Sequence, residues 1–415
     1  MHIPDNNESA GTLDSKAQQA DGFCIKEDLI LCRQIQRAMV PVSFPAVAGI
    51  DMKALYIPSE AVAGDLYDII HISEDLLALY AFDVARYGLI SSLLSAMVKA
   101  SFTTHVRSVH RPAAVLDRVN ADLIRNISAS IYVTAFVAFI DLHSNKLTWC
   151  NAGHPYPIVF RRKKNGLVML KSGGAMLGVV KDACFEEGYV HLYPGDWLLV
   201  YTNGLYSLLQ PDKDAASGHQ RLTKTLKREQ TSPPQFFDLM YKTYNTLKGR
   251  GVEFSDDICA FSVEVLTQSR RNQLKEKLGF DRDDPVHLQF ISYYEEMDRA
   301  AGVVLRDMDA AGFIDDSIRK MKITLTELMA NGIGHGNGED HTRKVTIGHM
   351  VDKNVTVVSV MDEGEGFDPT TVPDPTLPEN LGKDHGRGLF IVRNYVDEME
   401  HNNAGNRILI RKFNA

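Results

Sequence analysis

Between Glu27 and Met39 apolar residues recur at helical spacing, with Leu29, Ile30, Cys32, Ile35 and Met39 on one stripe that Pro41 brings to an end. Such a stripe needs cover, either from its own domain or from a second copy of the chain, and the pattern leaves both open. Beyond it the period changes. Strand-like runs are expected at Leu76–Val84, Tyr132–Ile140, Lys146–Cys150 and Trp197–Tyr201, with helices over Leu89–Val106 and Pro112–Asn126. Strands separated by turns, with helices grouped between them, point to a layered α+β domain that reaches about Val265.

The polar stretch Thr267–Asp284, rich in Arg, Lys, Asp and Gln, reads as a domain boundary. A second pattern follows: a strand over Val286–Ser292, helices, strands over Lys344–His349 and Val355–Met361, a Gly- and Pro-rich passage from Gly364 to Gly388, a helix from about Leu389 and a last strand over Arg407–Lys412. No internal repeat links the halves. The expected division is a disordered leader over 1–25, a linker helix over 26–45, a first domain over 46–266, a linker over 267–284 and a second domain over 285–415.

Composition narrows the class without changing this picture. The 415 residues are 44% hydrophobic and 24% charged, as in soluble globular proteins. No apolar run is long enough to span a bilayer, and the polar, acidic start does not read as a secretory signal, so no membrane association and a cytoplasmic location are expected. A formal net charge of -8 without a basic, aromatic-laced patch argues against nucleic acid. The five cysteines are scattered without paired spacing, so neither a disulfide framework nor a zinc site is indicated.

Chemistry concentrates in the second half. Glu327 and Asn331 lie four apart in a helical stretch, so a carboxylate and an amide oxygen address one small volume. Asn331 suits Mg²⁺, a hard cation held by a few oxygens plus substrate phosphates, and Glu327 is then free to take a proton from an attacking hydroxyl. The strand ending at Met361 runs into Asp362-Glu-Gly364-Glu-Gly366, where a carboxylate beside glycines accepts a hydrogen bond from an exocyclic amine such as that of adenine. Gly386-Arg-Gly388 is a glycine turn opening a helix, where free N–H groups favour phosphate.

These three segments, in this order, resemble the N box and the two glycine boxes of the GHKL ATPase superfamily, and within it the serine-kinase anti-sigma factors. The resemblance covers about Val286–Phe413 and implies a Bergerat α/β sandwich with a mixed sheet and helices on one face, binding Mg-ATP. Histidine kinases carry an acceptor His on a helix well before the N box. Between Asp284 and Glu327 the chain has only His287, in an expected strand, which favours transfer to a separate protein. His335 is assigned a structural or lid role.

In the first half, acidic or near-acidic positions occupy strand ends and turns: Gly64-Asp65-Leu-Tyr-Asp68, Asp83-Val-Ala-Arg-Tyr-Gly88, Thr202-Asn203-Gly204 and Ser255-Asp256-Asp257. Any one reads as a turn residue; together they can hold two dications that activate a bridging water. With Asn151-Ala-Gly-His154, Lys171–Gly178 and Pro194-Gly195-Asp196 they resemble the SpoIIE-like branch of PPM serine/threonine phosphatases, over about Glu27–Val265. Ile35-Gln36-Arg37 and Val40-Pro41 echo that family's approach helix. The resemblance implies a β-sandwich flanked by helices and Mn²⁺ or Mg²⁺ bound by Asp65, Gly64, Asp83, Val84, the position of Asn203, and Asp256 or, less readily, Asp257.

Three departures accompany it. Asn203 stands where the family has Asp, Arg86-Tyr87 replace a Gly-His pair, and Ala63 replaces a Gly. The combined resemblance implies a partner-switching regulator whose kinase half phosphorylates a STAS-domain anti-sigma-factor antagonist and whose phosphatase half reverses this, with a sigma factor as a further partner. The alternatives are a sequestering protein with a degenerate pseudo-phosphatase sensor, and a GHKL domain that acts on no protein.

Overall fold

The computed structural model describes residues 30–41, 44, 45, 47, 49–60, 62–73, 75–85, 88–126, 131–209, 215–228, 232–340, 343–368 and 387–414. Two compact units emerge, one mainly from Lys53–Leu192 and Trp197–Ser262, the other mainly from the chain beyond Val263. Among the described residues no helix is long and apolar enough to cross a membrane. Cys32, Cys150, Cys184 and Cys259 are free thiols.

The first unit is a pair of five-stranded sheets. One has the order β1 (Ile50–Ile57), β10 (Ile258–Val265), β9 (Trp197–Tyr201), β6 (Ile158–Arg161), β7 (Gly166–Met169). The other runs β2 (Leu66–Ser73), β3 (Leu76–Val84), β4 (Val133–Asp141), β5 (Lys146–Ala152), β8 (Glu187–His191), antiparallel at every pair. Position in the sheet explains the sequence pattern: β9 is buried at every residue and reads as a continuous apolar run, β10 is buried throughout and apolar but for Ser262 and Glu264, and the edge strand β8 alternates in exposure. Tyr67 of β2 stacks on Phe261 of β10 at 5.2 Å, joining the sheets' inner faces.

Helices cover the outer faces. Phe102 of α2 (Leu89–Ser108) stacks on Tyr80 and Phe82 of β3, and α3 (Pro112–Asn126) lies over β4 and β5. On the other sheet, Leu55, Phe160, Trp197 and Leu199 pack against α4 (Gly204–Leu209), α5 (Ala215–Arg228) and α6 (Pro233–Gly249). The expected β-sandwich flanked by helices is therefore present. The approach helix, α1 (residues 30–39), buries Gln36 and leaves Ile30, Leu31 and Ile35 exposed. Ile30 and Ile35, members of the apolar stripe, are therefore left uncovered.

The second unit is one five-stranded sheet with order β11 (His287–Ile291), β12 (Val345–Val351), β13 (Val355–Met361), β15 (Arg407–Phe413), β14 (Glu398–His401). Every pair is antiparallel, which corrects the expected mixed sheet. The reason is connectivity. Two helices, α8 (Met297–Ala310) and α9 (Asp315–Asn331), lie between β11 and β12, so the chain goes out and back and β12 enters from the end where β11 finished.

One sheet face, with Val345, Ile347, Val358, Val360, Ile408 and Ile410, packs on α8, α9 and α10 (Arg387–Tyr395). Helices are not confined to that face. Within the stretch Thr267–Asp284, read above as a linker, lies α7 (Gln268–Leu278), capped by the Thr267 hydroxyl and ended by Gly279 in the left-handed region. Its Leu278, with Phe280, packs on Leu288, Val357 and Leu409, which point to the opposite side of the sheet. Nine polar or charged residues among eleven hide this role, because only one edge of the helix is buried.

Candidate functional site

In the first unit, the turns before β2 and after β9, the end of β3 and the loop into β10 bring carboxylates together. Asp65 is almost fully buried and hydrogen-bonded to Asp83. Burial raises the Asp65 carboxyl well above the usual carboxylate range, the Asp83 charge and then Asp257 add to it, and a hydrogen bond from Thr202 opposes it. Asp83 is raised too, first by burial and then by the charges of Asp257 and Asp256. Buried carboxylates that repel one another in this way fit a shared cation, whose charge replaces the missing protons.

Asp257 does different work. Its Oδ1 accepts from the Ser59 N–H at 2.8 Å and the Ser59 hydroxyl at 2.9 Å, and its Oδ2 accepts from the Gly64 N–H at 2.7 Å. It fixes the loop that presents Gly64 and Asp65, while the Asp256 charge acts on Asp83. Asn203 is exposed in the turn between β9 and α4. A Cβ on the neighbouring Gly204 would meet the Asp257 carbonyl oxygen at 2.0 Å, so this turn lies directly on the Asp256–Asp257 backbone. Val84 is the buried last residue of β3.

Asp68 stands apart from the group, paired with Lys99 at 3.0 Å. His154 is buried, its N–H held by Asn151 Oδ1 at 2.8 Å, and burial pushes its pKa down to about 3. It is a neutral turn residue. Arg86 and Tyr87 lie outside the described residues.

In the second unit the distant segments meet. A cavity of about 770 Å³ is bordered by Asn331 at the end of α9, Asp362 and Gly366 after β13, and Gly388 at the start of α10. That volume falls in the range of small-molecule sites, roughly 300–1,000 Å³. Glu327 is one turn before Asn331. A Cβ on Gly388 would come within 2.5 Å of Glu327 Oε2 and 3.5 Å of Asn331 Nδ2, so the α10 N-terminus lies close against these two side chains and a larger residue there would make Glu327 give way. Gly386 lies outside the described residues.

Asp362 Oδ1 accepts from the Gly364 N–H at 2.8 Å, and the carboxylate retains acceptor capacity for an amine donor. Burial raises its pKa, while Arg343, also on the cavity wall, lowers it. Gly364 itself does not line the cavity; it buttresses Asp362. His335 does line it, at the π-helical turn Gly332–Gly336 that continues α9.

Sequence reasoning missed Asn337. It is buried on the cavity wall, its Oδ1 accepts from the Glu363 N–H at 2.9 Å, and its Nδ2 has no partner in the described structure. A buried orphan donor beside a nucleotide-sized hollow fits an acceptor-rich ligand such as ATP. Arg343 and Asn406 were missed as well. Nothing in their sequence setting distinguishes them from ordinary surface residues.

Residues 73–266 match the family model for stage II sporulation protein E, and residues 293–412 match that for a histidine kinase-like ATPase domain. The chain is a SpoIIE-type phosphatase domain followed by a GHKL domain. The SpoIIE match begins after Asp65, which lies outside the matched residues.

Over 181 residues, 44% of this chain, the sequence is 24% identical to the phosphoserine phosphatase RsbU of Bacillus subtilis. Over 112 residues, 25% of this chain, it is 27% identical to the serine-protein kinase RsbW of Oceanobacillus iheyensis, covering 70% of that protein. The crystal structure of the RsbU and RsbW domains of Rv1364c from Mycobacterium tuberculosis superposes with a TM-score of 0.50 at 17% identity, covering 89% of this chain and 96% of that one, and shows a shared fold. The chain spans 54% of the RsbU relative and 40% of another, protein IcfG of Synechocystis, so it matches about half of these proteins or less.

Proposed function

We propose that this SpoIIE–GHKL chain is a bifunctional partner-switching regulator that adds phosphate to a serine of an anti-sigma-factor antagonist of the STAS type and removes it again. The observation that carries the kinase half is the meeting of Asn331, Asp362 and Gly388 around one cavity, with Glu327 against Gly388. RsbU-like and RsbW-like domains in one chain support the partner-switching role.

In this reading Asp362 and the glycine-lined wall hold adenine, and the N–H groups at the start of α10 receive phosphate. Asn331 would hold Mg²⁺, which supplies charge neutralisation at the phosphates. Glu327 accepts the proton of the incoming serine hydroxyl. In the other half, Gly64, Asp65, Asp83, Val84, Asn203 and Asp256 would hold Mn²⁺ or Mg²⁺, whose chemistry is to acidify a bound water for attack on phosphoserine. Asp257 keeps the Gly64–Asp65 loop in place for that purpose.

Incubation of the purified protein with Mg-ATP and a candidate antagonist tests the kinase assignment. Phosphoserine on the antagonist, lost in Asn331→Ala together with Mg-ATP binding, is the expected result. ATP-dependent binding without transfer supports instead a sequestering protein with a pseudo-phosphatase half. The observation favouring that second reading is Asn203, which brings a neutral amide where a carboxylate would add attraction for two dications.

A further inference from the structure

Away from the nucleotide cavity, the second unit holds a cluster that neither activity uses. His287 on the edge strand β11 and His349 on β12 are direct cross-strand partners, their rings 5.2 Å apart at 41°. Antiparallel pairing puts both side chains on the sheet face that packs against α8. From α8, Asp307 Oδ2 lies 2.9 Å from His349 Nε2. One ligand-type atom from each of the three residues lies within 4.8 Å of the other two. None of the three lines the nucleotide cavity.

Their exposures differ in a way that suits a site with an entrance. His349 is completely buried, Asp307 has 40% of its side chain exposed, and His287 is exposed at the sheet edge. Inside, His349 Nδ1 has no hydrogen-bond partner in the described structure, so the buried imidazole is anchored only through Asp307. A purely structural histidine at such a position would normally have both ring nitrogens satisfied.

We propose that His287, Asp307 and His349 bind one transition-metal dication of the zinc class. Two imidazoles and one carboxylate are the donor set of three-ligand zinc sites, which keep a fourth position for water. Borderline nitrogen donors select such ions over Mg²⁺ and Mn²⁺, which prefer all-oxygen surroundings. A bound ion would tie the edge strand β11 to β12 and α8. Because the three ligands come together only in the folded unit, the ion stabilises it by mass action.

Cobalt reports the site without confusion from the oxygen-rich centres. The full-length protein, held in excess Mg²⁺ to occupy those centres, is titrated with Co²⁺ while visible absorption is followed. One Co²⁺ per chain with the strong bands of a low-coordinate, nitrogen-ligated ion is expected, and Zn²⁺ should displace it. His287→Ala changes an exposed residue and Asp307→Asn keeps a group able to hydrogen-bond His349, so both should fold and still bind Mg-ATP. Each should weaken Co²⁺ binding by about 100-fold or more, beyond the 10–100-fold typical of losing an outer partner. Absence of the bands at saturating Co²⁺, or their survival at full strength in either variant, overturns the proposal.

Discussion

Gln36 grips Ala63 with both ends of its side-chain amide: Oε1 accepts from the Ala63 N–H at 2.6 Å and Nε2 donates to the Ala63 carbonyl at 2.5 Å. The same Nε2 reaches Ser95 Oγ of α2 at 3.2 Å. Ala63 immediately precedes Gly64 and Asp65, so α1 sets the position of the acidic loop. Gln36→Ala leaves two buried backbone groups unpaired, at a cost of about 1–3 kcal/mol each before relaxation. Phosphatase activity should fall about 10- to 100-fold, since small misplacements of catalytic groups have effects of that order. Wild-type rates on a phosphoserine protein, with the fold intact by circular dichroism, would remove this role.

Gly388→Ala should separate folding from nucleotide chemistry in the second unit. The added methyl meets Glu327 Oε2, the end of a side chain that can move, so the fold should survive with strain of about 1–3 kcal/mol. Moving Glu327 displaces the assigned base. Calorimetry should show ATP binding weakened by about 10-fold, and phosphotransfer should drop further. Unchanged transfer would dissociate Glu327 from the reaction.

Asp65→Asn should abolish metal-dependent phosphatase activity yet stabilise the metal-free protein. Because the folded carboxyl is raised by burial and by Asp83, its ionisation opposes folding: stability is present below the unfolded pKa and is lost as pH rises through the folded one. The amide removes that penalty, so the variant should gain about 1–3 kcal/mol at neutral pH and nothing in acid. Denaturant titrations at several pH values, with chelator present, measure this directly. Destabilisation at neutral pH would contradict the repelling pair.

Asn203→Asp restores a charge beside the Asp256–Asp257 backbone. Mn²⁺-dependent phosphatase activity should rise roughly 10-fold or more, through tighter metal binding. A rate that stays near zero would favour the pseudo-phosphatase reading.

His154 provides a pH signature. Its pKa is pushed down to about 3 by burial, so the folded state resists a proton that the unfolded chain accepts near 6.5. Stability from this group is complete above the unfolded value and is lost as pH falls from there toward about 3. In His154→Gln the slope of unfolding free energy against pH should be shallower across that window. Equal slopes would mean that protonation of His154 carries no folding cost.

The sequence alone determined many of the elements and the order of the chemical segments. Continuous or alternating apolar runs marked β3, β9 and β13 at their observed ends, because burial on two faces or one leaves a direct imprint on residue type. Glu327, Asn331, Asp362 and Gly388 stood out by residue type at a fixed spacing, and the fold brings Asn331, Asp362 and Gly388 to one cavity.

What the tertiary structure decided is everything that depends on which segments become neighbours. The hydrogen-bonding sense of the second sheet followed from an out-and-back helix pair, and α7 passed for a linker because a single buried edge leaves most of its residues polar. The division of labour between Asp256 and Asp257, adjacent and chemically identical, depends on which one meets the Ser59 and Gly64 N–H groups. Gln36 on Ala63, the orphan amide of Asn337 and the meeting of His287 with His349 and Asp307 arise from helix docking and strand register. Those are set by the packing of the whole core, and no local run of residues records them.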